Sequence, residues 1–71
     1  MNTGIKIKAY LDERGISQVF LSEKSGIPAA KLSLALNGKR KLTFDEYEAI
    51  CYVLGVGVDT FLEPKPLHTS A

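Results

Sequence analysis

The chain has little of what reactive or cross-linked centres are made from. Its 71 residues include one cysteine, Cys51, and one histidine, His68. A lone cysteine cannot close an intramolecular disulfide, which favours a reducing compartment. One cysteine with one histidine cannot surround a zinc ion, so no metal is expected. Long apolar runs are missing too. The longest, from Ala49 to Val58, falls well short of the ~20 residues a membrane helix needs. No basic stretch leads into an apolar one at the N-terminus, so no secretory signal and no membrane attachment are expected. No segment alternates apolar and polar residues as a half-buried strand does. No glycine-rich loop follows a strand, and Gly55-Val56-Gly57 closes a helical stretch instead, so no phosphate cradle and no cofactor are expected. The expectation is a cytoplasmic protein without catalytic machinery.

Acids are absent from one stretch in particular. Between Lys24 and Phe44 there are five basic residues (Lys24, Lys31, Lys39, Arg40 and Lys41) and no acid, while the whole chain carries only +1, so everything else sums to −4. That negative charge lies after position 44, in Asp45, Glu46, Glu48, Asp59 and Glu63 against Lys65. Positive charge gathered beside one pair of helices suits a surface that lies on a polyanion. The apolar content of 45% and charged content of 24% are those of a folded domain and not of a disordered chain. A domain this small buries only about 60% of its unfolded surface, too little to support a deep substrate cleft.

What is present is helical periodicity. Ile7, Tyr10 and Leu11 form an apolar stripe at i, i+3 and i+4, predicting a first helix over about Thr3 to Arg14 that ends at Gly15. Ser17 is placed to cap a second helix carrying Phe20 and Leu21, which stops near Ser25-Gly26. Gly26 supplies the positive φ of a tight turn. Ile27-Pro28 opens a third helix, about 28–36, which Asn37-Gly38 terminates. Thr43 with Glu46 reads as a capping box starting a fourth helix that ends at Gly55. A short fifth helix is expected over Val58 to Leu62. The fold class is therefore all-α: a compact bundle of about five short helices. The domain spans 1–63, and 64–71, with Pro64 and Pro66, form a flexible tail.

Residues 18 to 37 carry the functional signal. Leu21, Ile27, Leu32 and Ala35 are apolar where two helices must meet, Ser22 is small where they cross, and Gly26 sits at the turn. This is a helix-turn-helix pattern, whose second helix enters the DNA major groove. With Ile16-Ser17-Gln18, Leu21-Ser22-Glu23-Lys24, Gly26-Ile27, Leu32-Ser33, Asn37-Gly38-Lys39-Arg40, Ile50 to Val56 and Asp59 to Leu62, the chain resembles the Cro/repressor-type helix-turn-helix family, also called the xenobiotic response element family. The resemblance covers about positions 5 to 62 and implies a lambda-repressor-like domain that binds double-stranded DNA as a transcriptional regulator, most often a repressor.

The resemblance also assigns roles. Gln18 matches a phosphate-contacting brace of the recognition helix. Pro28, Ala29 and Ala30 match base-edge contacts, with Ser33 and Leu34 one turn on, and Asn37, Lys39 and Arg40 match a phosphate-contacting loop. Helical geometry agrees in part. At about 100° per residue, Ala29, Ala30, Ser33 and Asn37 share one face of the third helix, and Leu32, Ala35 and Pro28 the opposite one. Lys31 stands at the helix edge, from which it can swing toward the groove. Where the family has Arg, Gln, Asn or Ser, this chain has Ala29, Ala30 and Leu34, which cannot make bidentate hydrogen bonds to bases. Modest specificity, assisted by DNA shape and dimer spacing, is the consequence.

Several apolar residues lack an evident burial place: Val19 and Phe20, Leu34 and Leu36 flanking the core stripe, and Tyr52 facing away from Ile50 and Leu54. They suggest partner surfaces, although single exposed apolar residues are ordinary. A homodimer is expected, through Phe61, Leu62 and Leu67 or through Tyr52. Two alternatives share the fold. One is an antitoxin that holds a small protein partner through Phe20 or the tail. The other is a protein-interaction module that no longer reads DNA. Cys51 lies on the apolar stripe of the fourth helix and reads as core. Asp45, Glu46 and Glu48 complement a helix N-terminus and read as structural, not as an acid–base pair.

Overall fold

The computed structural model describes residues 3–62. Among these it contains four helices and no strand: α1 (Thr3–Arg14), α2 (Gln18–Ser25), α3 (Ala29–Leu36) and α4 (Phe44–Leu54). Helix α3 packs against both α1 and α2, and α2 packs against α4. The centre holds Ile7 and Leu11 from α1, Leu21 from α2, Leu32, Ala35 and Leu36 from α3, and Ile50 and Cys51 from α4, all at most 1% exposed. Fully burying a leucine or isoleucine contributes about 1.5–3 kcal/mol, so this cluster supplies the main apolar driving force. Tyr10, on the predicted stripe of α1, is half-buried at its edge.

The caps follow the expected chemistry. The Ser17 hydroxyl accepts from the Phe20 N–H at 3.0 Å, tying down the start of α2. At α4 both halves of the capping box are present: Thr43 Oγ1 accepts from the Glu46 N–H at 3.1 Å, and the Glu46 carboxylate accepts from the Thr43 N–H at 3.0 Å.

The fifth helix is not formed. Residues 58–61 make turns, with Thr60 N–H donating to the Gly57 carbonyl at 3.1 Å and Leu62 N–H to the Asp59 carbonyl at 3.3 Å. Tyr47 explains why. Its hydroxyl donates to the Val58 carbonyl, the group that an α-helix would have offered to Leu62, and accepts from the Phe61 N–H at 3.4 Å. A segment this short cannot repay helix nucleation once its first acceptor is taken. Phe61 is driven inward instead, 5% exposed, with its ring edge-on to Tyr10 at 5.3 Å and to Tyr47 at 6.5 Å. Phe61 is thus core and not the dimer surface expected of it. The tail 64–71, with Leu67 and His68, lies outside the described residues.

Cys51 is buried, and loss of hydration pushes its thiol above the ordinary cysteine value, as fits a small core residue. Burial likewise pushes the Tyr47 phenol up. No helix among the described residues is long and apolar enough to cross a membrane, and no group of three His, Cys, Asp or Glu among them is placed to hold a metal ion.

Candidate nucleic-acid interface

The turn between α2 and α3 sets the angle at which α3 is presented. Gly26 adopts the left-handed conformation at φ 81° and donates its N–H to the Ser22 carbonyl at 3.0 Å. The Ser22 hydroxyl donates to the Ile27 carbonyl at 2.6 Å, and the Ser25 hydroxyl accepts from the Ile27 N–H at 3.3 Å. Ser22 therefore clasps the turn as well as letting the helices approach. Ile27, 5% exposed, anchors the turn in the core.

From this anchor α3 runs with its faces divided. Leu32, Ala35 and Leu36 are fully buried, whereas Ala29, Ala30, Lys31 and Leu34 are exposed and Ser33 is half-buried. The outward face predicted for Ala29, Ala30 and Ser33 is thus the one observed. Two neighbours differ from expectation. Leu36 lies in the core, about 40° around the helix from Leu32 at about 100° per residue, so the buried arc runs from Ala35 through Leu32 to Leu36. Pro28 is exposed and not turned toward the core. It is the N-cap, with φ −55° and ψ 139°, so helical periodicity does not extend to it.

The far end of α3 closes in a double clasp. Gly38, at φ 75°, donates its N–H to the Ala35 carbonyl at 3.1 Å, and the Lys39 N–H reaches back to the Leu34 carbonyl at 2.8 Å. The start of the basic loop is thereby fixed to the helix. Asn37 is exposed, but its side-chain amide turns back, donating to the Ser33 carbonyl at 2.9 Å and to the Ser33 hydroxyl at 3.4 Å.

The cations fall into two groups. Lys31, Lys39 and Lys41 are exposed and form no ion pair with another described residue. Arg40 is held. Its guanidinium meets the Glu46 carboxylate with Nη1 at 3.2 Å and Nη2 at 3.4 Å, the two side chains being 26% and 20% exposed. Glu46 thus joins the cap of α4 to the basic loop. The Thr43 backbone N–H, first of all, holds its carboxyl below the ordinary glutamate value, and Arg40 and Lys31 add to this against the opposing effect of partial burial. The Arg40–Glu46 fork was not foreseen, since nothing in a separation of six residues announces it. Lys41 completes the exposed loop charge and belongs with the candidate set.

At the first position of α2, Gln18 is half-buried and makes no side-chain hydrogen bond to another described residue. Beside it Val19 and Phe20 are exposed, and Lys24 Nζ stands 5.9 Å over the Phe20 ring. Tyr52 on α4 is 86% exposed and Phe44, not foreseen as a surface residue, 65%.

Among models of known families, that of the Cro/C1-type HTH DNA-binding domain matches residues 6–66. No curated protein and no solved structure matches the chain.

Proposed function

The chain belongs to the Cro/C1-type helix-turn-helix DNA-binding family, and we propose that it is a transcriptional regulator that acts as a repressor by occluding its site. Helix α3 enters the major groove with Ala29, Ala30, Ser33 and Leu34 toward the bases, Pro28 at its entry and Lys31 at its edge. Gln18, Asn37, Lys39 and Lys41 lie along phosphates. Arg40 contributes its charge and its outer N–H groups from within the fork with Glu46. The observation that carries this reading is the outward face of α3: it has no acid, Ala29, Ala30 and Ser33 keep it low, and exposed lysines stand just past its end. Short side chains permit close approach, and free cations release counterions on contact.

One copy covers too little DNA for useful discrimination, so two copies on a palindromic site are proposed. Leu62 and Tyr52, both exposed, remain available to such a dimer. The exposure of Val19, Phe20 and Leu34 favours one rival reading, a protein-interaction module of the same fold that no longer reads DNA. Titration of the purified protein into random duplex DNA at several salt concentrations separates the two. A DNA binder loses affinity linearly in log salt, with a slope of about −0.9 for each phosphate contacted. Replacing Lys39 and Lys41 by glutamate flattens that slope on every sequence. Absence of binding even at low salt refutes the proposal.

A further inference from the structure

The chemistry left free on α3 is unusual for a groove-reading helix. On α3 and in the loop after it, the planar side chains that form two-pronged hydrogen bonds with bases are occupied or missing, and Lys31 is the free polar reader left on the helix. Asn37, which could pair with the adenine edge, has its amide nitrogen committed to the Ser33 carbonyl and hydroxyl. Arg40, which could pair with guanine, has both terminal nitrogens on Glu46. The helix itself contains no Arg, Asn, Gln, Asp or Glu. What it offers outward is methyl and isobutyl surface: Ala29 and Ala30 are exposed, and Leu34 is 48% exposed one turn on from Ala30. In the major groove only one base-edge group matches such a surface, the C5-methyl of thymine, with its chemical equal on 5-methylcytosine.

Resting on the DNA-binding reading above, we infer that Ala29, Ala30 and Leu34 recognise C5-methyl groups of pyrimidines, so that the preferred site is marked by methyl positions and not by a guanine or adenine hydrogen-bond code. Ala30 and Leu34 lie within about 40° of each other around the helix, and a four-residue step advances about 6 Å along it. The two therefore present one continuous apolar strip to neighbouring base pairs. Lys31 at the margin adds a point charge that serves phosphate or a guanine edge without the planar fork of arginine.

The test starts from duplexes selected by the full chain out of a randomised pool. Each selected duplex is resynthesised with deoxyuridine for thymidine, which deletes the methyl and leaves the Watson–Crick edge intact. Affinity should fall about fourfold for each methyl covered, the transfer preference of one methyl-sized group, while the salt slope stays the same. In a second arm 5-methylcytosine replaces cytosine at pyrimidine positions under α3. A gain there identifies methylated DNA as a further source of the group, and no gain confines the ligand to thymine. Leu34→Asn should bring the thymine-to-uracil ratio at its own position toward one, with thermal melting confirming that the variant is folded. Equal affinity for thymine and uracil duplexes, or selection of guanine-rich sites, overturns the inference while leaving DNA binding intact. A flat salt response with no duplex bound overturns the proposed function itself.

Discussion

Glu46 couples the stability of the domain to the state of its basic loop, and changing it should move stability and DNA affinity in opposite directions. Its carboxylate accepts the Thr43 N–H at 3.0 Å and holds Arg40 at 3.2 and 3.4 Å. Glu46→Ala removes half of the capping box, roughly 0.5 kcal/mol. It also removes a half-buried, charge-assisted pair, which contributes about 1 kcal/mol after discounting for solvent. The sum, about 1.5 kcal/mol, should lower the melting temperature by roughly 6–12 °C in a domain of this size. Glu46→Gln keeps an acceptor for the Thr43 N–H, so it should lose only the ion pair, about 1 kcal/mol. Both variants release Arg40 and delete a negative charge beside the proposed phosphate track. Affinity for random duplex DNA should rise, and the salt slope should steepen by up to about 0.9, the increment for one added phosphate contact. The pH dependence has a definite sign. The folded-state value of Glu46 is depressed, so its stabilisation is present above the ordinary glutamate value of about 4.3 and is lost as pH falls through the lower folded value. Glu46→Gln should remove that acid-side loss. The assays are melting followed by circular dichroism between pH 3 and 7, with those limits chosen to bracket the ordinary glutamate range, and fluorescence anisotropy with labelled duplex. A folded Glu46→Gln protein that binds DNA more weakly, with a flatter salt slope, would refute the reasoning. Arg40 would then reach phosphate only when Glu46 aims it.

Four further substitutions probe the frame. Leu36→Ala should cost about 2–5 kcal/mol because the side chain is fully buried, whereas Leu34→Ala should stay within about 0.5 kcal/mol; urea unfolding of the pair checks which leucine of α3 faces inward. Gly26→Ala meets nothing within 4 Å of the added carbon, so its cost is the left-handed backbone alone, about 1–2 kcal/mol, and a melting temperature unchanged from the parent would contradict it. Tyr47→Phe removes the bond to the Val58 carbonyl and leaves the Phe61 N–H unserved. It should cost about 1–3 kcal/mol and expose the 58–61 turn to faster amide exchange, without altering the salt slope of DNA binding.

Much of the frame was legible because its signals are local. The Ser17 cap, the Thr43–Glu46 box and the glycines at helix ends act through neighbouring backbone groups, so residue type and spacing determine them. The apolar stripes of α1 and α4 and the division of α3 into Leu32 and Ala35 inside, Ala29 and Ala30 outside, follow from helical period. What was not legible depends on partners distant in sequence or on where a period stops. Val58 to Leu62 has the composition of a short helix, but Tyr47, eleven residues before Val58, captures the carbonyl that such a helix needs. Pro28 falls inward only if the period of α3 is extended one residue beyond the point at which the backbone is helical. Leu36 reads as a flank of the core because the stripe through Pro28, Leu32 and Ala35 is displaced from the arc that is buried, Ala35 through Leu32 to Leu36. In the site, residue types were readable but their commitments were not. Asn37 and Arg40 look like free readers until Ser33 and Glu46 are seen to hold them.

Those commitments follow from the way the domain is built. A helix of eight residues has only about two turns in which to serve both core and groove. Its inner side must be apolar to pack, and its end must be clasped if the following loop is to stand at a fixed height. Asn37, Gly38 and the Lys39 N–H form that clasp, and Arg40 with Glu46 ties the loop to the next helix. Polar groups used in this way stiffen the interface and are withdrawn from base reading. Affinity then rests on lysines whose charge needs no exact geometry, and discrimination passes to the apolar side chains that the clasp leaves uncovered. The same substitution therefore cannot be judged by charge alone: releasing Arg40 adds a cation to the groove while loosening the loop that positions Lys39 and Lys41, and the salt slope and the melting temperature measure these two effects separately.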